Sequence, residues 1–513
     1  MQPITNSYRN VPSIWLERIF FMAHIIHYSV LLIIASSSIQ VCLPIANADP
    51  TKTEVLAAMK KAAGFMANTV SNRGGYVYLY SEDLSRQWGE VPARKTQIWV
   101  QPPGTPTVGM LYLDAFKTTG DPDFLKYAEQ AADALIRGQH PAGGWHYLID
   151  FDMTGIQKWY DEVASRCWGW QEYLHYYGNC SFDDYTTSAP TRFLLELYMT
   201  TLNPKYRAPL LKALNLILEA QYPNGAWPQR YPLMYDHPYD SHDDYTSYYT
   251  FNDDVIKDNI DLLLEAYEKL GSEVYREAAH RGMDFYLISQ LPKPQAGWAQ
   301  QYTMDMKPGW GRSYEPDAVC TVQTTSNISD LENFYAITGD RRYLGPIPDA
   351  IAWLENSVIA SGLPGGNTHA YFYEPGTNKP LWSHREGTNI DNGRYWVDYD
   401  ITDYYPYGVP LTINTGQVRA EFERINRFAP EEAQAEYRAK KQPSIIARSV
   451  DPKQVEQIIA SLDSRGAWVT DIAISRYFGD AIKEPRDTIR GISIWVFLQN
   501  MQTLVNYIHS LTE

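Results

Sequence analysis

A phrase of the form Gln-x-x-x-Gly-x-Trp recurs in this chain and constrains its fold more than any other feature. It stands without gaps at Gln139–Trp145 and Gln221–Trp227, and a stretched copy runs from Gln290 to Trp298. The three tryptophans are 82 and 71 residues apart, and looser versions surround Gly74-Gly-Tyr76, Gly365-Gly366 and Gly466-Ala-Trp468. A period of this length marks an array of similar units, each needing its neighbours to bury its apolar face.

Between the phrases the apolar residues follow a helical period that is interrupted once per unit. Val108–Lys117 and Phe124–Arg137 flank the breaker Thr119-Gly-Asp-Pro122. The plan returns at 191–221 around Asn203-Pro204, at 255–290 around Gly271-Ser272 and at 321–357 around Gly339-Asp340. Phe124, Tyr206, Tyr275 and Tyr343 follow the breakers and read as core. Further helices are expected at 51–68, 431–438, 452–462 and 485–511. Repeated hairpins extend as a solenoid or close into a ring, and here the loops after each second helix are long, about 20–40 residues, and rich in Trp, Tyr, Asp and Gly. The expected fold is therefore all-α: helical hairpins in a complete or partial (α/α) toroid, with long irregular loops at its functional end. Residues 365–425 read as a small, irregular, partly β insertion, and no linker divides residues 49–513, which are expected to form one catalytic domain.

Arg9 and Arg18 precede the apolar run 19–35, and Ala46-Asn47-Ala48 follows it. This order predicts a signal peptide over residues 1–48 and a secreted or periplasmic product without a stable membrane anchor. Its removal leaves 42 basic and 59 acidic residues, a formal net charge of −17. Such a surface excludes nucleic acid as a partner. An acidic polymer would have to be met by local cations, either arginines or a metal. Cys167 and Cys180 could pair across a short loop, leaving Cys320 free. A monomer is expected.

Two resemblances follow from these motifs. The Gln/Gly/Trp phrase resembles the QW repeat of triterpene cyclases, which are also α/α barrels, but their Asp-x-Asp-Asp acid is missing and Asn252-Asp253-Asp254 lacks the leading Asp. A more extensive match runs from about residue 175 to 390. Asn224-Gly-Ala-Trp-Pro-Gln-Arg-Tyr-Pro232, Thr250-Phe-Asn-Asp-Asp254 and Phe372-Tyr-Glu-Pro-Gly-Thr-Asn-Lys-Pro380 stand in the order of the signatures of the tenth polysaccharide lyase family, the α/α-toroid pectate lyases. Phe182-Asp183-Asp184 and Gly311-Arg312-Ser-Tyr-Glu315 fall at the expected places between them. The resemblance implies cleavage of polygalacturonate, an acidic polysaccharide, by calcium-assisted anti β-elimination.

That chemistry can be set against individual residues. Abstracting the C5 proton of a uronate builds charge on its carboxylate, which a cation must stabilise. The resemblance implies that Asp183, Asp184 and Asp253 hold Ca²⁺, a cation that takes several hard oxygens. It implies Arg312 as the base, and Arg385 as a fork for a substrate carboxylate with Arg394 as the fallback. Arg230 and Trp227 are further substrate-binding candidates; Arg230 is unrepeated among the units, whereas Trp227 recurs as Trp145 and Trp298 and reads first as packing. Other roles stay open: a solvated loop for Asp183 and Asp184, a helix N-cap for Asp253 or Asp254, a surface ion pair of Arg312 with Glu315 or Asp317. His242-Asp243-Asp244 reads as a solvated loop. The chain departs from the family at Asp184, where Asn is usual, at Tyr371 and in Ser383-His-Arg-Glu-Gly387. These departures keep two other classes open, a non-catalytic uronate-glycan-binding toroid and a toroid glycoside hydrolase with paired carboxylates.

Overall fold

A computed structural model describes residues 49–164, 177–233, 237–238, 242–360, 362–386, 394–404, 408–441, 450–475 and 486–511. Residues 1–48, Cys167 and Gly387 lie outside this set. Cys180 and Cys320 are buried free thiols.

The helical hairpins form where the breakers place them. They are α2 Thr105–Thr119 with α3 Pro122–Arg137, α4 Ser188–Thr201 with α5 Pro204–Ala220, α6 Val255–Leu270 with α7 Glu273–Ser289, and α8 Thr321–Thr338 with α9 Ile347–Asn356. The breakers act at both ends. Gly271 stops α6 at φ 72, while Asp121 and Asn203 accept N–H bonds at the starts of α3 and α5, each followed by a proline whose fixed φ suits the first helical position. Phe124, Tyr206, Tyr275 and Tyr343 are all buried in one continuous core.

The repeat phrase explains how one unit is fastened to the next. Gln139, Gln221 and Gln290 each donate one side-chain amide to their own turn and to a carbonyl in the following unit: Pro209 on α5, Ala278 on α7, and Pro346 at the start of α9. Trp145, Trp227 and Trp298 are fully buried, and their indole N–H groups donate to Leu135, Ile217 and Tyr286 near the end of the preceding second helix. Gly225 sits at φ 97, and a Cβ there would lie 2.0 Å from the carbonyl oxygen of Arg281 on α7, so no larger residue fits.

The same fastening crosses the chain ends. Helix α1, Lys52–Phe65, receives Gly466, whose added Cβ would meet Lys61 O at 2.5 Å, from the loop after α12, Pro452–Ala460. Trp468 donates to Ile458 O as the other phrase tryptophans do. Helix α13, Ile494–Ser510, packs on α1 and α2, and Tyr507 donates to Pro50 O. The two ends of the chain therefore meet in one unit, fastened by the same phrase as the hairpins. Gly365-Gly366, in contrast, is no copy of the phrase: a Cβ at Gly366 would meet nothing within 4 Å.

Two expected boundaries are corrected. Residues 486–493 are a strand, not the start of the last helix; they pair with 469–475 on one side and 79–81 on the other. The insertion at 365–425 holds strands Pro380–Glu386 and Arg394–Asp398 but also helix α10, Thr415–Asn426, followed by α11, Pro430–Lys441. Among the described residues no helix is long and apolar enough to cross a membrane.

Glu332 on α8 is buried, and its Oε1 accepts no hydrogen bond. Burial, and then Glu421, push its carboxyl up to about 7 from 4.5, against Arg424 and Lys440. Because the folded value lies above the unfolded one, the ionised group weakens the fold as pH rises from about 4.5 through 7. Glu332→Gln should then stabilise the chain by about 1–3 kcal/mol at pH 8–9 and leave it unchanged near pH 4. Thermal unfolding at both pH values checks this, and an equal gain at both would exclude the titration as its cause.

Candidate functional site

The site is assembled at the loop-bearing end by a backbone pattern that each unit repeats. The strand after Trp145 (148–150) pairs with 97–99, the one after Trp227 (230–231) with 180–181, and the one after Trp298 (301–302) with 249–250. Each receiving strand leads into a tight turn ahead of a first helix. Phe182-Asp183-Asp184-Tyr185 and Phe251-Asn252-Asp253-Asp254 are thus equivalent turns of adjacent units, with Phe182 N–H bonded to Gln229 O and Phe251 N–H to Gln300 O. Asp184, Tyr185, Asp253 and Asp254 all take positive φ, between 49° and 61°. Left-handed backbone at four non-glycine residues costs conformational energy, and such strain collects at functional sites.

These turns bring the acids together. Asp183, Asp184 and Asp253 each offer a carboxylate oxygen, all within 4.8 Å of one another. Asp183 and Asp184 are buried and Asp253 half-buried, so none sits in a solvated loop. Asp254 stands at the N-cap position of α6, but its side chain makes no cap bond and instead accepts from Tyr185 Oη at 2.8 Å. Burial, with Asp330 and Asp253 nearby, pushes Asp254 up to about 7 despite that bond.

Arg312 lies across the cluster. Its Nη2 donates to Asp183 Oδ2 at 3.2 Å, and its Nη1 to Asp253 Oδ2 and Glu315 Oε1 at 3.1 Å each. Glu315 also accepts the Arg312 backbone N–H at 2.9 Å and a 3.2 Å bond from Asn252 Nδ2. The ion pair with Glu315 is therefore buried, and Asp317 is exposed.

The remaining candidates differ in placement. Arg230 is buried on the 230–231 strand opposite Ser181, its guanidinium carbon 4.5 Å from the Tyr177 ring centroid and 5.3 Å from that of Tyr147. Tyr147 Oη donates in turn to Asp183 Oδ2, which ties Arg230 to the acid cluster. Arg385 is buried on the strand that abuts the Arg312 turn: Ser383 Oγ donates to Tyr314 O, and Tyr395, opposite Arg385, packs on Tyr314 at 5.2 Å. Arg394 is exposed and lies over Trp396. Trp227 is corrected: fully enclosed, with its indole N–H bonded to Ile217 O, it presents no face to a sugar. His242 stacks on Trp310, and Asp244 caps the turn 245–247.

Sequence reading missed Gln101, Tyr147 and Asn252. The signal was present in the repeat register: Gln101, Asp183 and Asn252 each stand two residues after the strand residue whose N–H bonds Tyr76, Trp145 or Trp227 O.

Residues 170–332, which contain the acids and Arg312, match the family model described as pectic acid lyase. This stretch, which makes up less than half of the chain, is similar to pectic acid lyases. Two structures of a family 10 polysaccharide lyase from Cellvibrio cellulosa are similar to this chain. One, a mutant in complex with trigalacturonic acid, is 21% identical with a TM-score of 0.41, covering 58% of this chain and 92% of that one. The other is 20% identical with a TM-score of 0.41, covering 63% and 98%. An unsaturated glucuronyl hydrolase specific for heparin is 11% identical with a TM-score of 0.37, covering 90% and 98%. No curated protein matches. The lyase signature at 372–380 and Arg385 lie beyond the matched span.

Proposed function

We propose that this chain is a polysaccharide lyase that acts on α-1,4-linked polygalacturonate or a closely related uronate chain by calcium-assisted anti β-elimination. It would work as a secreted or periplasmic monomer, with residues 49–513 as one catalytic unit. The observation that carries the reading is the convergence of three carboxylates from adjacent units within 4.8 Å, bridged by Arg312. The donor set is all hard oxygen and fits a calcium ion better than a softer metal. Held by Asp183, Asp184 and Asp253, calcium would supply positive charge against a substrate carboxylate.

The chain's own groups account for the rest. In its neutral form Arg312 would receive the C5 proton on Nη and become the guanidinium; the C5–H electron pair becomes the C4=C5 bond, and the C4–O4 bond breaks on the opposite face, its electron pair leaving with O4, which takes a proton from water. In the present arrangement the guanidinium is paired with Asp183, Asp253 and Glu315 and serves as a cation. Engagement of Asp183 and Asp253 elsewhere releases two of these contacts, while Glu315 still holds one Nη and the backbone N–H. Arg230 and Arg385 offer the local positive charge that a chain of net charge −17 needs to receive a polyanion.

The test is a rise in ultraviolet absorbance from the unsaturated product on polygalacturonate at alkaline pH, abolished by chelator. Asp183→Asn should lower turnover by at least ~100-fold, by removing a ligand from the charge-stabilising site. Saturated reducing ends would select the glycoside hydrolase class instead, and no product on any uronate polymer would sink the lyase reading.

A further inference from the structure

We infer that Gln101, from a region the family model does not reach, is the positioning residue that holds Asp184 in the metal site. The inference rests on the calcium reading above. Asp184 is the carboxylate that sets this chain apart from the family pattern. Its Oδ2 accepts a 2.7 Å bond from Gln101 Nε2. Gln101 is fully buried, and the same nitrogen donates at 3.1 Å to Glu90 Oε1. The direction of the amide is set chemically: Trp99 Nε1–H, which can only donate, lies 3.1 Å from Gln101 Oε1. The oxygen must face the indole, so both N–H groups point at the two acids.

The surrounding loop is built to keep it there. Tyr78 Oη donates to Gln101 O and Pro102 O. A Cβ at Gly89 would meet the Trp99 ring at 2.1 Å, so the turn carrying Glu90 lies flat on that indole.

Asn252 makes the comparison that assigns the role. It occupies the equivalent position two units on and repeats the arrangement: its Oδ1 accepts from Gln300 Nε2 at 2.9 Å, and its Nδ2 donates to Asp253 at 3.1 Å and to Glu315 at 3.2 Å. In both turns an amide oriented through its oxygen donates to one candidate ligand and to one further acid. Without the Gln101 amide, Glu90 and Asp184 would face each other as like charges. Asp184 would turn from the cluster.

Groups that orient metal ligands are worth ~10- to 100-fold in affinity. Calorimetric calcium titration of the full chain, Gln101→Met, Asp184→Ala and the double variant tests the role, with thermal unfolding followed in parallel. Gln101→Met should weaken binding within that range, and the double variant should bind no more weakly than Asp184→Ala alone. A change below about twofold in Gln101→Met, or the same loss on the Asp184→Ala background, would overturn the inference, since a general packing role does not depend on Asp184. Gln101→Asn keeps an amide in the pocket but is one methylene short of Asp184. It should lose the same affinity with the fold intact, and unchanged affinity in it would equally overturn the assignment. Absence of calcium binding by the unsubstituted chain would overturn the calcium reading itself, and this inference with it.

Discussion

Arg312→Ala should abolish elimination, by roughly 10³-fold or more, and at the same time make the chain depend on calcium for stability. The two effects share one cause. Arg312 is buried and forked over Asp183, Asp253 and Glu315, so in the metal-free chain its guanidinium offsets three enclosed carboxylates. Removing one partner of a buried ion pair costs about 3–5 kcal/mol, because the opposite charges stay buried. The substitution should therefore lower the metal-free melting temperature clearly. On the proposed calcium reading the metal should remove most of that deficit by taking over Asp183 and Asp253, so the rise in melting temperature on adding calcium should exceed that of the unsubstituted chain. Calcium affinity should rise as well, since no guanidinium has to leave the acids first. Arg312→Lys separates the charge from the fork: an ammonium cannot span three acceptors in fixed planar geometry, so stability should recover in part and turnover should not. Turnover within tenfold of normal in Arg312→Ala, or a calcium-induced stabilisation no greater than the parent's, would contradict this account.

The order of the helices could be read from residues alone and the acids from motifs that resemble those of a lyase family, because both are written at short range. A breaker such as Asn203-Pro204 encodes a stop and a start within four residues, and Asp183-Asp184 stands next to the helix it precedes. What escaped reading depends on distant partners. Strand 486–493 is specified by the edges of 469–475 and 79–81, and Gly491 lies on Tyr80 O, which a Cβ would meet at 2.4 Å. Helix α10 buries only Ile425, so it lacks the apolar stripe by which an amphipathic helix is recognised. Gln101 is 83 residues from Asp184 in sequence. Its role becomes visible only when the units are laid in register, which puts it level with Asp183 and Asn252. The acids around Arg312 escaped reading for the same reason: Asp183 and Asp253 stand 129 and 59 residues from it in sequence.

Trp227→Ala should cost about 3–5 kcal/mol of stability, the range for deleting a large enclosed aromatic, and should leave the fold rather than the substrate as the casualty. A fully buried indole contributes area and one hydrogen bond, to Ile217 O. Trp227→Phe separates these, keeping most of the area while leaving that carbonyl without its indole donor, at about 1–3 kcal/mol. If Trp227 packs helix ends, Trp227→Phe should lower the melting temperature by a few degrees with KM for polygalacturonate unchanged, and Trp145→Phe should do the same one unit earlier. A sugar platform requires the reverse, a raised KM with little loss of stability, because an exposed ring contributes mainly to the bound state. Arg230 supplies the contrast within one segment. It is equally buried but stands between Tyr147 and Tyr177 beside the acids, so Arg230→Lys should raise KM while melting stays near that of the parent. Opposite responses three residues apart would separate the fastening of the toroid from the handling of its substrate.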